Sequence, residues 1–202
     1  MSGRSVSQRA AAIFAAALLF AACTFGAQAA DPAELKKKAE ICAACHGAEG
    51  NSTNPVVPSL AGQPEQFLTT QLVMFREGNR KDPQMSPMAE KLSNKEMNEL
   101  AAYFSRQKPA APTHKTSPES AAAGPKLAQQ FNCVQCHGPA LRGQQHIPRI
   151  AGQQYDYLLA QLRKFKARTR ADLDGNMTAA AEPLKDKDIE ILVDYIAGLN
   201  PQ

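Results

Sequence analysis

The stretch CAACHG, residues 42–47, holds two cysteines separated by two residues, with a histidine directly after the second. The same pattern returns as CVQCHG at residues 133–138. Cys-x-x-Cys-His is the attachment signature of c-type haem. Two thiols one helical turn apart can each bond one vinyl group of the porphyrin, and the next histidine then reaches the iron. The two stretches therefore predict two covalently attached haems in one chain.

Each stretch assigns its residues to definite roles. The predicted attachment residues are Cys42, Cys45, Cys133 and Cys136, and the predicted proximal iron ligands are His46 and His137. A dithiol redox motif would need a βαβ context, which the sequence does not show. A zinc site built from the two cysteine pairs is a second alternative. Haem is favoured because each pair has its own histidine and because the chain carries an export signal.

The N-terminus has the pattern of a cleaved secretory signal at residues 1–29. Arg4 and Arg9 precede an apolar run at residues 10–22, and Ala27 and Ala29 fit a small-residue cleavage site. Lipid attachment at Cys23 is the competing interpretation. Export predicts a periplasmic protein, in which the four remaining cysteines serve as disulfides, metal ligands or cofactor attachments. No later apolar run reaches the roughly 18 residues of a membrane span.

The charge of the chain is nearly balanced after the predicted signal is removed. The remaining residues include 21 Lys and Arg against 19 Asp and Glu. Residues 31–107 hold 9 basic and 10 acidic side chains, whereas residues 108–202 hold 12 and 9. A nucleic-acid binder would concentrate basic residues in one stripe, so the composition argues against that class of partner.

An internal repeat fixes the organisation of the chain as a tandem duplication. Four blocks recur in the same order at offsets of 90 to 92 residues, and one of them is PSLAGQ (58–63) against PRIAGQ (148–153). The repeat predicts one domain at residues 31–107 and another at residues 124–202. Residues 108–123, rich in proline and poor in apolar side chains, predict an extended linker.

Each copy has the pattern of helices and shows no strand-like alternation. Capping boxes begin at Asp31 and Ser93, and an amphipathic run follows Gln63. The fold class predicted is all-α, with three principal helices in each unit. Units of this size have thin cores and usually need an additional stabilising element, and a covalently bound macrocycle is one such element.

Methionines are the candidates for the sixth ligand of each iron, and the repeat selects among them. Met85 lies eight residues before Ser93, and Met177 lies eight residues before Lys185, the equivalent of Ser93. Met85 and Met177 are therefore the predicted distal ligands, each in a loop before the last helix. Met88 remains the alternative in the first copy, and His146 is an alternative ligand in the second. A Met/His pair raises the potential of the iron and suits electron transfer.

The doubled motif resembles the dihaem cytochromes c of the cytochrome c4 family over the whole chain after the signal. The resemblance rests on two Cys-x-x-Cys-His units, each followed by a Pro-x-(Leu/Ile)-Ala-Gly-Gln segment and a methionine. It implies two class I cytochrome c folds related by a pseudo-twofold axis, with the haem edges facing each other. It also implies that the carbonyls of Pro58 and Pro148 accept the N–H of the proximal histidines.

The expected function is electron transfer without substrate chemistry. The resemblance implies a quinol-oxidising cytochrome bc complex or similar donor and a terminal haem-copper oxidase or another reductase as acceptor. It implies no small-molecule substrate, and it is compatible with peripheral association with a membrane. The alternatives are a dihaem peroxidase, which needs one iron without a methionine ligand, and the electron-accepting cytochrome subunit of a dehydrogenase.

Overall fold

The computed structural model describes residues 32–202. The predicted signal at residues 1–29, the lipid alternative at Cys23 and the cap at Asp31 lie outside this part of the chain. The helices are α1 (Pro32–His46), α2 (Glu65–Arg76), α3 (Met85–Glu90), α4 (Asn94–Ser105), α5 (Pro118–Gln130), α6 (Cys133–His137), α7 (Tyr155–Lys166), α8 (Asn176–Ala181) and α9 (Asp186–Ala197). A 3-10 turn at Ala48–Gly50 follows α1. None of these helices is long and apolar enough to cross a membrane.

The first unit packs α2 against α4 and α3, with α1 against α4. Its core is small and includes the buried side chains of Leu68, Leu100 and Phe104. The predicted capping box at the start of α4 is confirmed. The Ser93 hydroxyl accepts from Glu96 N at 3.2 Å, and the Glu96 carboxylate accepts from Ser93 N at 2.8 Å. These bonds satisfy two backbone donors that the first turn of a helix otherwise leaves unpaired.

The second unit repeats this architecture, with α9 packed against both α5 and α7. Leu141, Ile189, Leu192 and Val193 are almost completely buried in its core. The two units are therefore built alike from α-helices, as the repeat predicts. The only strand-like pairing among the described residues is a single bridge between Gln144 and Ile147.

The connection between the units differs from the extended segment expected for residues 108–123. Helix α5 begins at Pro118, with the Ser117 hydroxyl accepting from Ser120 N at 3.2 Å, so the chain is extended only as far as Ser117. Proline at the first position of a helix loses no hydrogen bond, because that N–H has no helical partner. His114 and Ser117 both bond the carboxylate of Asp194 in α9. These contacts tie the connection to the second unit.

Gly124 allows α5 and α9 to approach each other closely. A Cβ at this position would lie 2.3 Å from Tyr195 Cβ. We expect Gly124→Ala to lower the free energy of unfolding of the second domain by about 1–3 kcal/mol, the usual cost of overpacking. Urea unfolding measures the loss. Ala122→Gly, at an exposed position of the same helix, measures the helix-propensity term of about 1 kcal/mol by itself. Stabilisation by Gly124→Ala would contradict the prediction.

The contact between the units is reciprocal at two equivalent glutamines. Gln63 of the first unit donates to Arg149 O at 2.8 Å and accepts from Arg149 N at 3.0 Å. Gln153 of the second unit donates to Ser59 O at 2.9 Å and accepts from Ser59 N at 2.7 Å. Gln63 and Gln153 are repeat equivalents, and so are Ser59 and Arg149. The same pair of hydrogen bonds is thus made in both directions, which is the signature of a pseudo-twofold axis.

Candidate haem-binding sites

The predicted attachment cysteines lie on helices in both units. Cys42 and Cys45 lie near the end of α1, whose last residue is His46. Cys133 and Cys136 lie in α6, which is no longer than the motif itself. In both motifs the first cysteine is half-buried and the second is exposed, and none of the four forms a disulfide. Positions i and i+3 face the same side of a helix, so each pair presents two free thiols to one partner.

Each predicted proximal histidine is hydrogen-bonded to the carbonyl of the proline that was predicted to orient it. The Nδ1 of His46 is 2.8 Å from Pro58 O, and the Nδ1 of His137 is 2.8 Å from Pro148 O. A carbonyl can only accept, so Nδ1 carries the proton in both rings and Nε2 keeps its lone pair. This tautomer is the one that an iron ligand requires, and the fixed Nδ1 contact also sets the orientation of the ring.

Burial of the two histidines also favours the neutral form that binds iron. His46 is 7% exposed and His137 is 4% exposed. Removal from water lowers the pKa of both imidazoles and so favours the neutral form, although the hydrogen bonds to the proline carbonyls act in the opposite direction. Two free thiols, a neutral imidazole and a fixed tautomer in each unit fit covalent attachment of a haem.

The predicted distal methionines occupy short helices instead of the irregular loops expected from the sequence. Met85 is the first residue of α3, and Met177 is the second residue of α8. Met85 is half-buried, whereas Met88 is 46% exposed. Exposure to water does not suit a thioether that binds a buried iron. Met85 is therefore the less exposed of the two candidates, and its role as the distal ligand remains a prediction.

Two aspartates that the sequence analysis missed fix the backbone at these methionines. Asp82 Oδ1 accepts from Met85 N at 3.0 Å, and Asp172 Oδ2 accepts from Met177 N at 2.6 Å. The aspartates lie 90 residues apart, while the methionines lie 92 apart, so the second loop accommodates two additional residues. The two aspartates are separated by 90 residues, the same offset that relates PSLAGQ to PRIAGQ, so the repeat could have identified them.

The structure brings only some of the predicted groups into contact. Each histidine contacts its proline, and Met177 packs against the same core as Cys133. Met85 is not part of the first core, against which Cys42 packs. The alternative ligand His146 has its Nε2 3.6 Å from the carboxylate of Asp174. In residues 32–202, no three His, Cys, Asp or Glu side chains are grouped to hold a metal ion.

A second missed feature is a cluster of polar side chains between the units. Gln71 Oε1 accepts from Arg80 at 2.6 Å and from Arg170 at 3.3 Å. Gln161 Oε1 accepts from Arg170 at 2.8 Å and from Arg80 at 3.5 Å. Arg80 also donates to the hydroxyl of Tyr157 at 3.2 Å. Burial alone would raise the pKa of Tyr157, but the guanidiniums of Arg80 and Arg170 reverse the effect and lower it. Arg80 lies two residues before Asp82, and Arg170 lies two residues before Asp172. The cluster therefore joins, across the interface, the two segments that lead into α3 and α8.

Comparisons with known proteins agree with this geometry. The family described as "Cytochrome c" matches residues 121–200, and the family described as "Cytochrome C oxidase, cbb3-type, subunit III" matches residues 27–104. Cytochrome c4 of Thiocapsa roseopersicina is 38% identical over 185 residues, covering 86% of this chain and 95% of the relative. The chain belongs to the cytochrome c4 family. The crystal structure of reduced recombinant cytochrome c4 from Pseudomonas stutzeri has a TM-score of 0.76 and 34% identity, covering 85% of this chain and 100% of that one.

Membership of the cytochrome c4 family confirms several predictions together. The fold is all-α, with two tandem class I cytochrome c domains. The chain carries two covalently bound c-type haems and is an electron carrier, not an enzyme. A further relative, the "Thiosulfate dehydrogenase electron acceptor" of Thiomonas intermedia (strain K12), is 35% identical over 186 residues, covering 86% of this chain and 85% of the relative.

Proposed function

We propose that this dihaem cytochrome carries electrons between periplasmic or membrane-bound redox proteins, with both irons held by one histidine and one methionine. The first haem is attached to Cys42 and Cys45 and the second to Cys133 and Cys136. The axial ligands are, in chain order, His46, Met85, His137 and Met177. The assignment rests on two hydrogen bonds that recur in both units. The proximal histidine donates to a proline carbonyl, and the backbone N–H of the methionine donates to an aspartate carboxylate.

The residues of the chain have separate tasks in this function. When bound, each haem supplies an iron that changes between the ferric and ferrous states. The carbonyls of Pro58 and Pro148 hold the imidazole proton at Nδ1 and leave Nε2 for the iron. The aspartates fix the backbone that presents each thioether, whose weak donation favours the ferrous state and raises the potential. The change between ferric and ferrous iron requires no proton transfer at either histidine, because the Nδ1–H remains bonded to the proline carbonyl.

The partners proposed from the family resemblance are a quinol-oxidising cytochrome bc complex as donor and a terminal haem-copper oxidase as acceptor. The signal pattern at residues 1–29 supports a periplasmic location, in which both partners expose redox sites. Two haems in one chain allow an electron to enter at one domain and leave at the other.

A second candidate is the role of electron acceptor for a dehydrogenase. It is favoured by the relative named a thiosulfate dehydrogenase electron acceptor, which is similar over 186 residues. The two candidates differ in the donor and share the same haem sites. Stopped-flow reduction of the oxidised protein separates them. A bc complex with quinol reduces the haems in the first case, and a thiosulfate dehydrogenase with thiosulfate reduces them in the second.

The shared proposal is tested by spectroscopy and redox titration of the oxidised protein. We expect a thioether-to-ferric charge-transfer band with the intensity of two methionine-ligated haems, because both sixth positions are filled. We also expect uptake of two electrons per chain, because each iron takes up one. A high-spin ferric signal from either haem, or turnover of hydrogen peroxide, would show an open iron and support the peroxidase alternative instead.

A further inference from the structure

Arg149 places one positive charge at the contact between the two domains. Its side chain is buried, with 2% exposed, and its Nη1 donates to Ala151 O at 2.5 Å. Its Nη2 donates to Ala61 O at 2.9 Å. Ala61 and Ala151 are equivalent positions of the repeat, 90 residues apart. The guanidinium therefore lies between equivalent carbonyls of both domains, although only the second copy of the sequence supplies it.

The charge has no carboxylate to neutralise it within residues 32–202. Arg149 takes part in none of the ion pairs of this region, and its Nε is buried without a hydrogen-bond partner. Burial lowers its pKa to about 10, which still leaves the side chain protonated at neutral pH. Removing a charged side chain from water costs several kcal/mol, even where an opposite charge lies beside it. A domain contact by itself would not need that charge, because neutral residues can make such contacts.

The position of Arg149 is fixed by the other domain. Its backbone N–H and carbonyl are both bonded to the amide of Gln63. It directly follows Pro148, which accepts from His137. Ala61 follows Pro58, which accepts from His46, by three residues. The guanidinium is thus held beside the segments that orient both proximal histidines, and it cannot move away without breaking contacts to both domains.

We propose that Arg149 is a shared electrostatic residue that raises the reduction potentials of both haems. The inference rests on the proposed function, in which each iron has a histidine and a methionine ligand. A ferric iron carries one more positive charge than a ferrous iron. A fixed cation in surroundings of low dielectric constant therefore destabilises the ferric state more than the ferrous state. Because the guanidinium lies between equivalent carbonyls, its effect extends to both domains.

The experiment is potentiometric titration of both haems in the intact protein and in three variants. Arg149→Met removes the charge, Arg149→Lys retains it, and Arg142→Gln removes an exposed charge of the same loop as a control. We expect Arg149→Met to shift the ferric/ferrous equilibrium of both haems at least threefold toward ferric, about 28 mV at 59 mV per tenfold change. Arg149→Lys retains at least half of the effect, and Arg142→Gln leaves both potentials unchanged because water screens its charge.

The outcomes distinguish an electrostatic role from a purely structural one. Unchanged potentials in Arg149→Met, with both charge-transfer bands intact, overturn the inference and leave the proposed function standing. A shift confined to one haem overturns the claim that the charge is shared. An equal loss in Arg149→Lys and Arg149→Met shows that the forked hydrogen bonds act instead of the charge. If Arg149→Met does not fold, Arg149→Gln is titrated with the same expected result. Absence of the two bands in the unmodified protein contradicts the proposed function itself.

Discussion

Met85→Ala should abolish the thioether-to-ferric band of the first haem and leave that of the second intact. Loss of the thioether removes the ligand that favours the ferrous state, so the potential of the first haem falls. We expect at least a hundredfold change in its ferric/ferrous equilibrium, about 118 mV at 59 mV per tenfold change. Near-infrared absorption and potentiometric titration measure the two effects.

The matched control for this variant lies three residues further along the chain. Met88 is 46% exposed, so Met88→Ala should leave both bands and both potentials unchanged. Met177→Ala should produce the same losses as Met85→Ala, but in the second haem. If Met88→Ala abolished the band and Met85→Ala did not, the equivalence of Met85 with Met177 would be wrong by three residues.

Replacing both attachment cysteines of one motif should remove one haem and unfold one domain. We expect Cys133→Ala with Cys136→Ala to leave a single covalent haem per chain, so that haem staining after denaturing electrophoresis falls by half. Cys133 packs against the core of the second unit. A unit of about 80 residues has a thin core, so we expect loss of the macrocycle to unfold it.

The first motif supplies the control for this experiment. Cys42→Ala with Cys45→Ala should remove the other haem and leave the band and potential of the second. Far-UV circular dichroism should show loss of about half of the helical signal in either double variant. A protein that kept two covalent haems after loss of Cys133 and Cys136 would refute the assignment of these residues.

The local features of this protein could be predicted because they depend on neighbours in the chain. The Ser93 capping box involves residues three apart, and the structure confirms it. The extended linker was predicted too long, because proline content indicates a break in structure without excluding a helix that begins at Pro118. The methionines were expected in loops, since a helix of six residues leaves too weak a periodic pattern to detect.

Apart from the aspartates that bond Met85 N and Met177 N, the features that were missed join residues from different copies. Gln63 and Gln153 are part of a repeated motif visible in the sequence, yet nothing in it indicates that each bonds the backbone of the opposite domain. Arg149 likewise has the pattern of an ordinary surface arginine, and Ser59 at the equivalent position gives no hint of burial. Only the packing of the domains removes this guanidinium from water.

The sequence by itself determined the two haems, the all-α class and the tandem repeat. These follow from the spacing of Cys-x-x-Cys-His and from periodicities that extend over a few turns of helix. The tertiary structure decided how the domains meet and where the charge of Arg149 lies. The hydrogen bonds that Gln63, Gln153 and Arg149 make across the interface join residues 86 to 94 positions apart, and their strength depends on burial that no local pattern encodes.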